Sequence, residues 1–139
     1  MIDDFIVSKS DFIFRAISKM QEKSELPKTQ YYTESEVKEL ITRLCEKVHP
    51  YYAAKGVKYP QVKFRKMVSQ WGNCYPKKGV LTFNANLVYA EKECIEYVVY
   101  HEFTHFLEAN HSSKFYDELE NVCPNWKEYR NRLKEVNIR

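Results

Sequence analysis

The stretch Val98-Val99-Tyr100-His101-Glu102-Phe103-Thr104-His105-Phe106-Leu107-Glu108-Ala109-Asn110-His111 decides the reading of the chain. Residues 101–105 of it spell H-E-x-x-H. Two histidines four residues apart on a helix lie one turn apart on one face, so both rings can reach the same ion. The glutamate beside the first can reach a water on that ion without being a ligand. Average His and Glu usage would produce the pattern in roughly a few sequences per thousand of this length. Two surface histidines beside a solvated charge are therefore the reading to beat.

Two features weigh against it. At 100° per residue, Ile95, Val98, Val99, Phe103, Phe106 and Leu107 form one broad apolar arc. Glu102 falls inside that arc, and His101 and His105 fall at its edge. A carboxylate on a core-facing surface is costly unless something compensates it, and a metal with its water would do so. The second feature is His111, which puts three of the four histidines within eleven residues. A hydrolytic zinc site needs three protein ligands and one open position. In a continuous helix His111 would turn away from the other two rings, so the helix, expected from about Glu91 to Ala109, must stop. Asn110 is placed to end it, because asparagine tolerates the left-handed conformation at a helix C-terminus. Glu108, Glu118, Glu120 or Glu128 are alternative third ligands, and Glu108 could instead orient a ligand histidine.

Working upstream, Val80–Asn84 reads as a strand after a turn at Pro76-Lys77-Lys78-Gly79. Residues 61–68 alternate as another strand, with Trp71–Cys74 as an irregular continuation, and together they suggest a β-hairpin. Thr33-Glu34-Ser35-Glu36 is a capping-box signature. The helix it starts should bury Val37, Leu40, Ile41, Leu44 and Val48, end near His49-Pro50, and be followed by a break at Gly56. A further helix is expected over residues 10–22 and a linker over 24–30. Downstream, a helix from about Ser112 carries Phe115, Leu119 and Val122. Pro124 then reads as the first residue of a last helix with Trp126, Tyr129, Leu133 and Val136.

The composition fits one domain of helical or α+β build. At 139 residues the chain can bury a real core, its 44% hydrophobic content excludes a disordered chain, and three glycines are too few for a turn-rich β-sandwich. A net charge of +3 is mild, and the basic groups at Lys63, Arg65, Lys66 and at Lys77, Lys78 read as solvated surface, so nucleic acid is a disfavoured partner. Cys45, Cys74, Cys94 and Cys123 include no C-x-x-C pair. The start Met1-Ile2-Asp3-Asp4 is acidic where a secretory signal is basic, and no apolar run approaches a membrane span. These features predict a cytoplasmic protein with reduced thiols and no membrane partner.

The run from Val98 to Phe115 resembles the YgjP-type family of predicted zinc metallopeptidases, which are related to the SprT-like and WLM peptidases. That family joins H-E-x-x-H to a downstream Asn-His-Ser and a Phe three residues later, matched by Asn110-His111-Ser112 and Phe115. Its upstream Ser-x-Trp-Gly-x-Cys is matched by Ser69-Gln70-Trp71-Gly72-Asn73-Cys74, and its strand ending in Asn by Leu81–Asn84. Near the C-terminus, Pro124-Asn125-Trp126 and Leu133 fit as well. Asn73 and Thr104 stand where the family often has other residues, neither a presumed ligand. The resemblance covers about residues 61–136.

The resemblance implies a minimal zincin-like α+β fold, with a small β-sheet packed on an active-site helix and a cleft between them. One domain would span 1–139, with 1–60 mainly helical and 61–136 forming the catalytic core. It also implies Zn²⁺ held by His101, His105 and His111, and hydrolysis of peptide bonds by a zinc-bound water that Glu102 activates. Trp71, Gly72 and Asn73 would border the cleft on a sheet edge that pairs with a peptide or protein substrate; a core Trp beside a bulge glycine is the plainer reading of Trp71-Gly72. Two rivals stand beside this expectation. One is a non-catalytic zinc-stabilised binding module, closed by a fourth ligand such as Glu108 or Cys123. The other is a DNA-associated protease of SprT-like type.

Overall fold

The structure, a computed structural model, describes residues 29–136. The helix expected over 10–22 and most of the linker expected over 24–30 lie outside the described residues. The first described helix, α1 (Glu34–Ala53), begins as its sequence predicts. The Glu36 amide donates to Thr33 Oγ1 at 3.0 Å, and the Thr33 amide donates to Glu36 Oε1 at 2.9 Å. Two amides that a helix start leaves free are thereby satisfied. Val37, Ile41, Leu44 and Val48 are buried as expected, and Leu40 is half-buried.

The helix does not end at His49-Pro50. It runs on through Pro50 to Ala53. Pro50 sits in the last turn, where its missing N–H removes one bond and leaves the rest of the ladder intact. The added turn is anchored by Tyr52, which is fully buried and stacks on Phe103 with centroids 5.2 Å apart. The break at Gly56 follows, at φ +95°.

Among the described residues the sheet is mixed and three-stranded: β1 (Gln61–Arg65), β2 (Gly72–Tyr75) and β3 (Val80–Asn84), in the order β1-β3-β2. The turn at Pro76–Gly79 forms as predicted, but it joins β2 to β3, not β1 to β3. Gly72 to Tyr75 pair antiparallel with Phe83 to Val80, whereas β1 pairs with β3 in parallel from Gln61↔Val80 to Arg65↔Asn84. The reason lies in residues 66–71, a loop rather than the end of a long strand. Asn84, fully buried, ties that loop down. Its Nδ2 donates to the carbonyls of Met67 (2.9 Å) and Gln70 (2.7 Å), and its Oδ1 accepts from the amides of Asn86 (2.9 Å) and Met67 (3.3 Å). Every hydrogen-bonding site of the side chain is used. The loop therefore crosses the end of β3 and returns the chain on its other side, leaving β2 as a sheet edge.

A 3₁₀ helix (Ala85–Tyr89) leads to α2 (Lys92–Thr104), which is followed by α3 (Ser113–Val122) and α4 (Trp126–Lys134). Pro124 is not the first residue of α4; it lies in the preceding turn, and Asn125 is the N-cap. Helix α2 is the hub, in contact with α1, α3, α4 and β2. Its buried residues Ile95, Val98, Val99 and Phe103 are those of the predicted arc. They share one core with Trp71, Leu81 and Phe83 of the sheet region, Ile41 and Leu44 of α1, and Phe115 and Leu119 of α3. The result is an α+β fold with the sheet edge β2 beside the C-terminal half of α2.

Candidate active site

His101 and Glu102 lie in the final turn of α2, and His105 caps it. That end of the helix is fixed by polar contacts to α1. Thr104 Oγ1 donates to the Tyr100 carbonyl at 2.7 Å and lies 2.9 Å from the Tyr52 hydroxyl. Beyond Thr104 the ladder tightens: the amides of His105, Phe106 and Leu107 donate three residues back, to Glu102, Phe103 and Thr104. The helix therefore stops five residues before the Ala109 expected, and Asn110 is not its terminator. The tight turns reverse the chain sooner than a left-handed cap would.

The reversal returns His111 to the other two histidines. His111 immediately precedes Ser112, whose hydroxyl accepts from the Phe115 amide as N-cap of α3. The start of one helix thus fixes the third imidazole against the end of another. Nε2 of His111 lies 3.2 Å from Nε2 of His101, and one ring nitrogen from each of the three histidines lies within 4.8 Å of the others. Two nitrogens bound tetrahedrally to zinc are about 3.3 Å apart, given Zn–N bonds of about 2.0–2.1 Å. The triad fits such an ion. His105 Nδ1 faces the Glu108 carbonyl at 3.2 Å, and donation there leaves Nε2 for a metal. The Tyr97 hydroxyl lies 3.4 Å from His101 Nδ1. Phe115 packs against all three rings, at 5.0, 4.7 and 4.9 Å from His101, His105 and His111.

The electrostatics suit a cation. Burial, with the neighbouring His105 and His111, holds His101 well below the usual histidine range. Burial and then His111 lower His105, and burial lowers His111. All three rings are thus poised neutral, the form that binds metal. Glu102 is 4% exposed, and burial alone pushes its carboxyl up to about 8. A nearby cation would return it to the ionised form.

These groups open onto a cleft of about 310 Å³ lined by His101, Glu102, His105 and His111 on one side and by Gly72, Asn73 and Cys74 on the other. Gly72 and Asn73 thus meet the histidines across the cleft. Trp71 is fully buried in the core and offers the cleft no surface; it supports β2 from behind. The glutamates weighed as third ligands are engaged elsewhere or stand apart. Glu118 meets Tyr51 and Lys55, Glu128 meets Arg132, and Glu108 approaches the site through its carbonyl. Neither they, nor Glu120, nor Cys123 join the cluster that could hold a metal among the described residues. The sequence did not single out Gln70, Pro76 and Ala109 in the lining, nor Tyr97 behind His101. Only Tyr97 carried a signal, being one helical turn before His101.

A family model for the YgjP-like metallopeptidase domain matches residues 30–136. The match reaches back over α1, further than the motifs quoted from the sequence. No curated protein matches the chain. Among solved structures, the metallopeptidase zymogen abylysin of Pyrococcus abyssi is similar, with 26% identity and a TM-score of 0.58 over 67% of this chain and 90% of its own. The metallopeptidase zymogen jannalysin of Methanocaldococcus jannaschii has 19% identity and a TM-score of 0.51, over 70% and 95%, a likeness of fold.

Proposed function

The chain belongs to the YgjP-like metallopeptidase family, and from that premise we propose that it is a zinc-dependent peptidase cutting a peptide or protein chain laid along β2. The observation that carries the reading is the convergence of three neutral imidazoles beside one buried carboxyl group at an open cleft. His101, His105 and His111 hold the ion. Bound there, zinc supplies Lewis acidity, which acidifies water and polarises a carbonyl. Glu102 takes the proton of the attacking water and delivers it to the leaving amine. Gly72 and Asn73 offer the substrate backbone a strand side that is unpaired among the described residues. Tyr97 and the Glu108 carbonyl hold the His101 and His105 rings in place.

A metal site that serves folding alone would be closed by a fourth protein ligand. Among the described residues the triad has three members and faces open space, which favours catalysis. A cytoplasmic setting is part of the proposal: all four cysteines are free, and no described helix is long and apolar enough to cross a membrane. The test is zinc content together with cleavage of an unfolded protein. The Glu102→Gln variant should retain zinc and lose turnover by a factor of at least about 10², the lower range for a general base. Parental cleavage by that variant would remove Glu102 from the mechanism.

A further inference from the structure

A second cavity, of about 400 Å³, adjoins the cleft, and Pro76 lines both. Among the described residues its walls carry three cations, Lys58, Lys77 and Lys78, with Tyr59 and Phe106 as aromatic surface and no carboxylate. Phe106 directly follows His105, so the cavity starts where the metal-site turn begins. Among the described residues none of the three lysines has an ion-pair partner, whereas Lys47 pairs with Glu96 and Lys55 with Glu118.

The walls are built rather than draped. Gly56 at φ +95° and Gly79 at φ +69° make the two turns that bring the segments of Lys58 and of Lys77-Lys78 together. Both lie on the cavity, and the Gln61 amide bonds the Gly79 carbonyl between the segments at 2.8 Å. On the Lys58 side, His49 Nε2 meets the Val57 carbonyl at 2.9 Å, and its ring packs edge-on against Tyr59 at 5.2 Å. Three like charges are thus fixed around one concavity. An anion seated there would offset their mutual repulsion beyond what solvent and salt already screen.

We propose that Lys58, Lys77 and Lys78 form a subsite for an acidic side chain of a peptide bound in the cleft. The proposal rests on the peptidase reading above. Strands advance about 3.4 Å per residue, so Pro76 is about 14 Å from Gly72, and the acidic residue falls roughly three to five positions from the bond cut. The lysines are exposed, so the preference is of moderate size and sensitive to salt.

The test uses the full chain carrying Glu102→Gln and labelled ten-residue peptides in which one Glu is moved along a neutral sequence, each with a Gln control. Fluorescence anisotropy at low salt should give about tenfold tighter binding for Glu at the favoured positions, weakening at about 0.5 M salt, roughly three times the physiological ionic strength. Joint replacement Lys58→Gln, Lys77→Gln and Lys78→Gln should bring the Glu-to-Gln ratio near one. Lys77→Glu with Lys78→Glu should reverse the preference toward Lys-containing peptides. These positions are exposed turn or loop residues, so circular dichroism should be parental in every variant. The same Glu preference should appear in kcat/KM of the parent.

Equal binding of Glu and Gln peptides, or a preference that survives loss of the lysines, overturns the subsite and leaves the peptidase reading standing if cleavage occurs. A lysine-dependent preference without any cleavage upholds the subsite and sinks the peptidase reading. Tighter lysine-dependent binding of a single-stranded oligonucleotide than of the acidic peptide overturns the proposal in favour of a nucleic-acid contact.

Discussion

Gly72 and Glu102 touch across the cleft so closely that a methyl group on Gly72 would lie 3.1 Å from Glu102 Cγ and 3.3 Å from its Oε2. The same methyl would meet the Thr82 carbonyl at 3.2 Å, so it has no free direction. The edge strand thus sets the position of the buried carboxylate, and only glycine lets it come so near.

Gly72→Ala should therefore displace Glu102 by a few tenths of an ångström while leaving the histidines alone. A misplacement of about 1 Å in a catalytic group costs about 10²-fold, so about tenfold is expected here. The check is kcat on an unfolded substrate together with zinc content. Parental kcat at full zinc would mean that this contact does not hold the base.

His111→Ala removes an exposed side chain that belongs to neither helix it lies between. The fold of the metal-free protein should survive unchanged. Zinc affinity should fall by more than about 10²-fold, since losing an outer-shell partner alone costs about 10–100-fold. Competition with a chelator measures it. An affinity unchanged within a factor of two would put the third ligand elsewhere.

The pH dependence of stability in the metal-free protein has opposing parts. Glu102 titrates at about 8 in the folded chain and near 4.3 when unfolded. Its neutral form supports the fold fully below the unfolded value, and that support is lost as pH rises through about 8. The three histidines act in the other sense: lowered in the fold, they support it above the ordinary histidine range and lose that support as pH falls. Glu102→Gln removes the first part only. Urea unfolding of the two metal-free proteins should differ little near pH 5, with the variant gaining on the parent up to pH 9. The upper limit of that gain is about 5 kcal/mol, from about 1.4 kcal/mol per pKa unit. A difference that stays flat across this range would contradict a neutral buried carboxyl.

The site was legible in the sequence where its geometry is local. Four residues between His101 and His105 are one helical turn, and Thr33 with Glu36 fixed the start of α1. The closing of the triad was legible in outcome but not in device, because tight turns after Thr104 did what Asn110 was expected to do. What stayed hidden depends on contacts distant in sequence. A five-residue strand names no partner, so β1 and β2 could not be told apart as neighbours of β3. Lys77-Lys78 reads as solvated surface until Lys58 is found across the cavity. Gly72 gave no sign that its missing side chain accommodates Glu102.

The strand order itself can be tested through Asn84. Its amide nitrogen donates to two carbonyls, at 2.9 and 2.7 Å, in a fully buried position. Asn84→Asp keeps the shape and replaces that donor with an acceptor. Two backbone carbonyls would then lose their partner and face a carboxylate oxygen. Each buried group left unsatisfied costs about 1–3 kcal/mol, so a loss of about 3 kcal/mol or more is expected at pH 7. Protonation would restore one donor, so the new carboxyl should titrate above the ordinary aspartate range in the fold. The penalty should then shrink as pH falls toward 4. The loop 66–71 carries the approach to β2, so amide exchange at Gly72–Tyr75 should quicken in step with the lost stability. A penalty independent of pH, with β2 as protected as in the parent, would mean that the loop holds its course without Asn84.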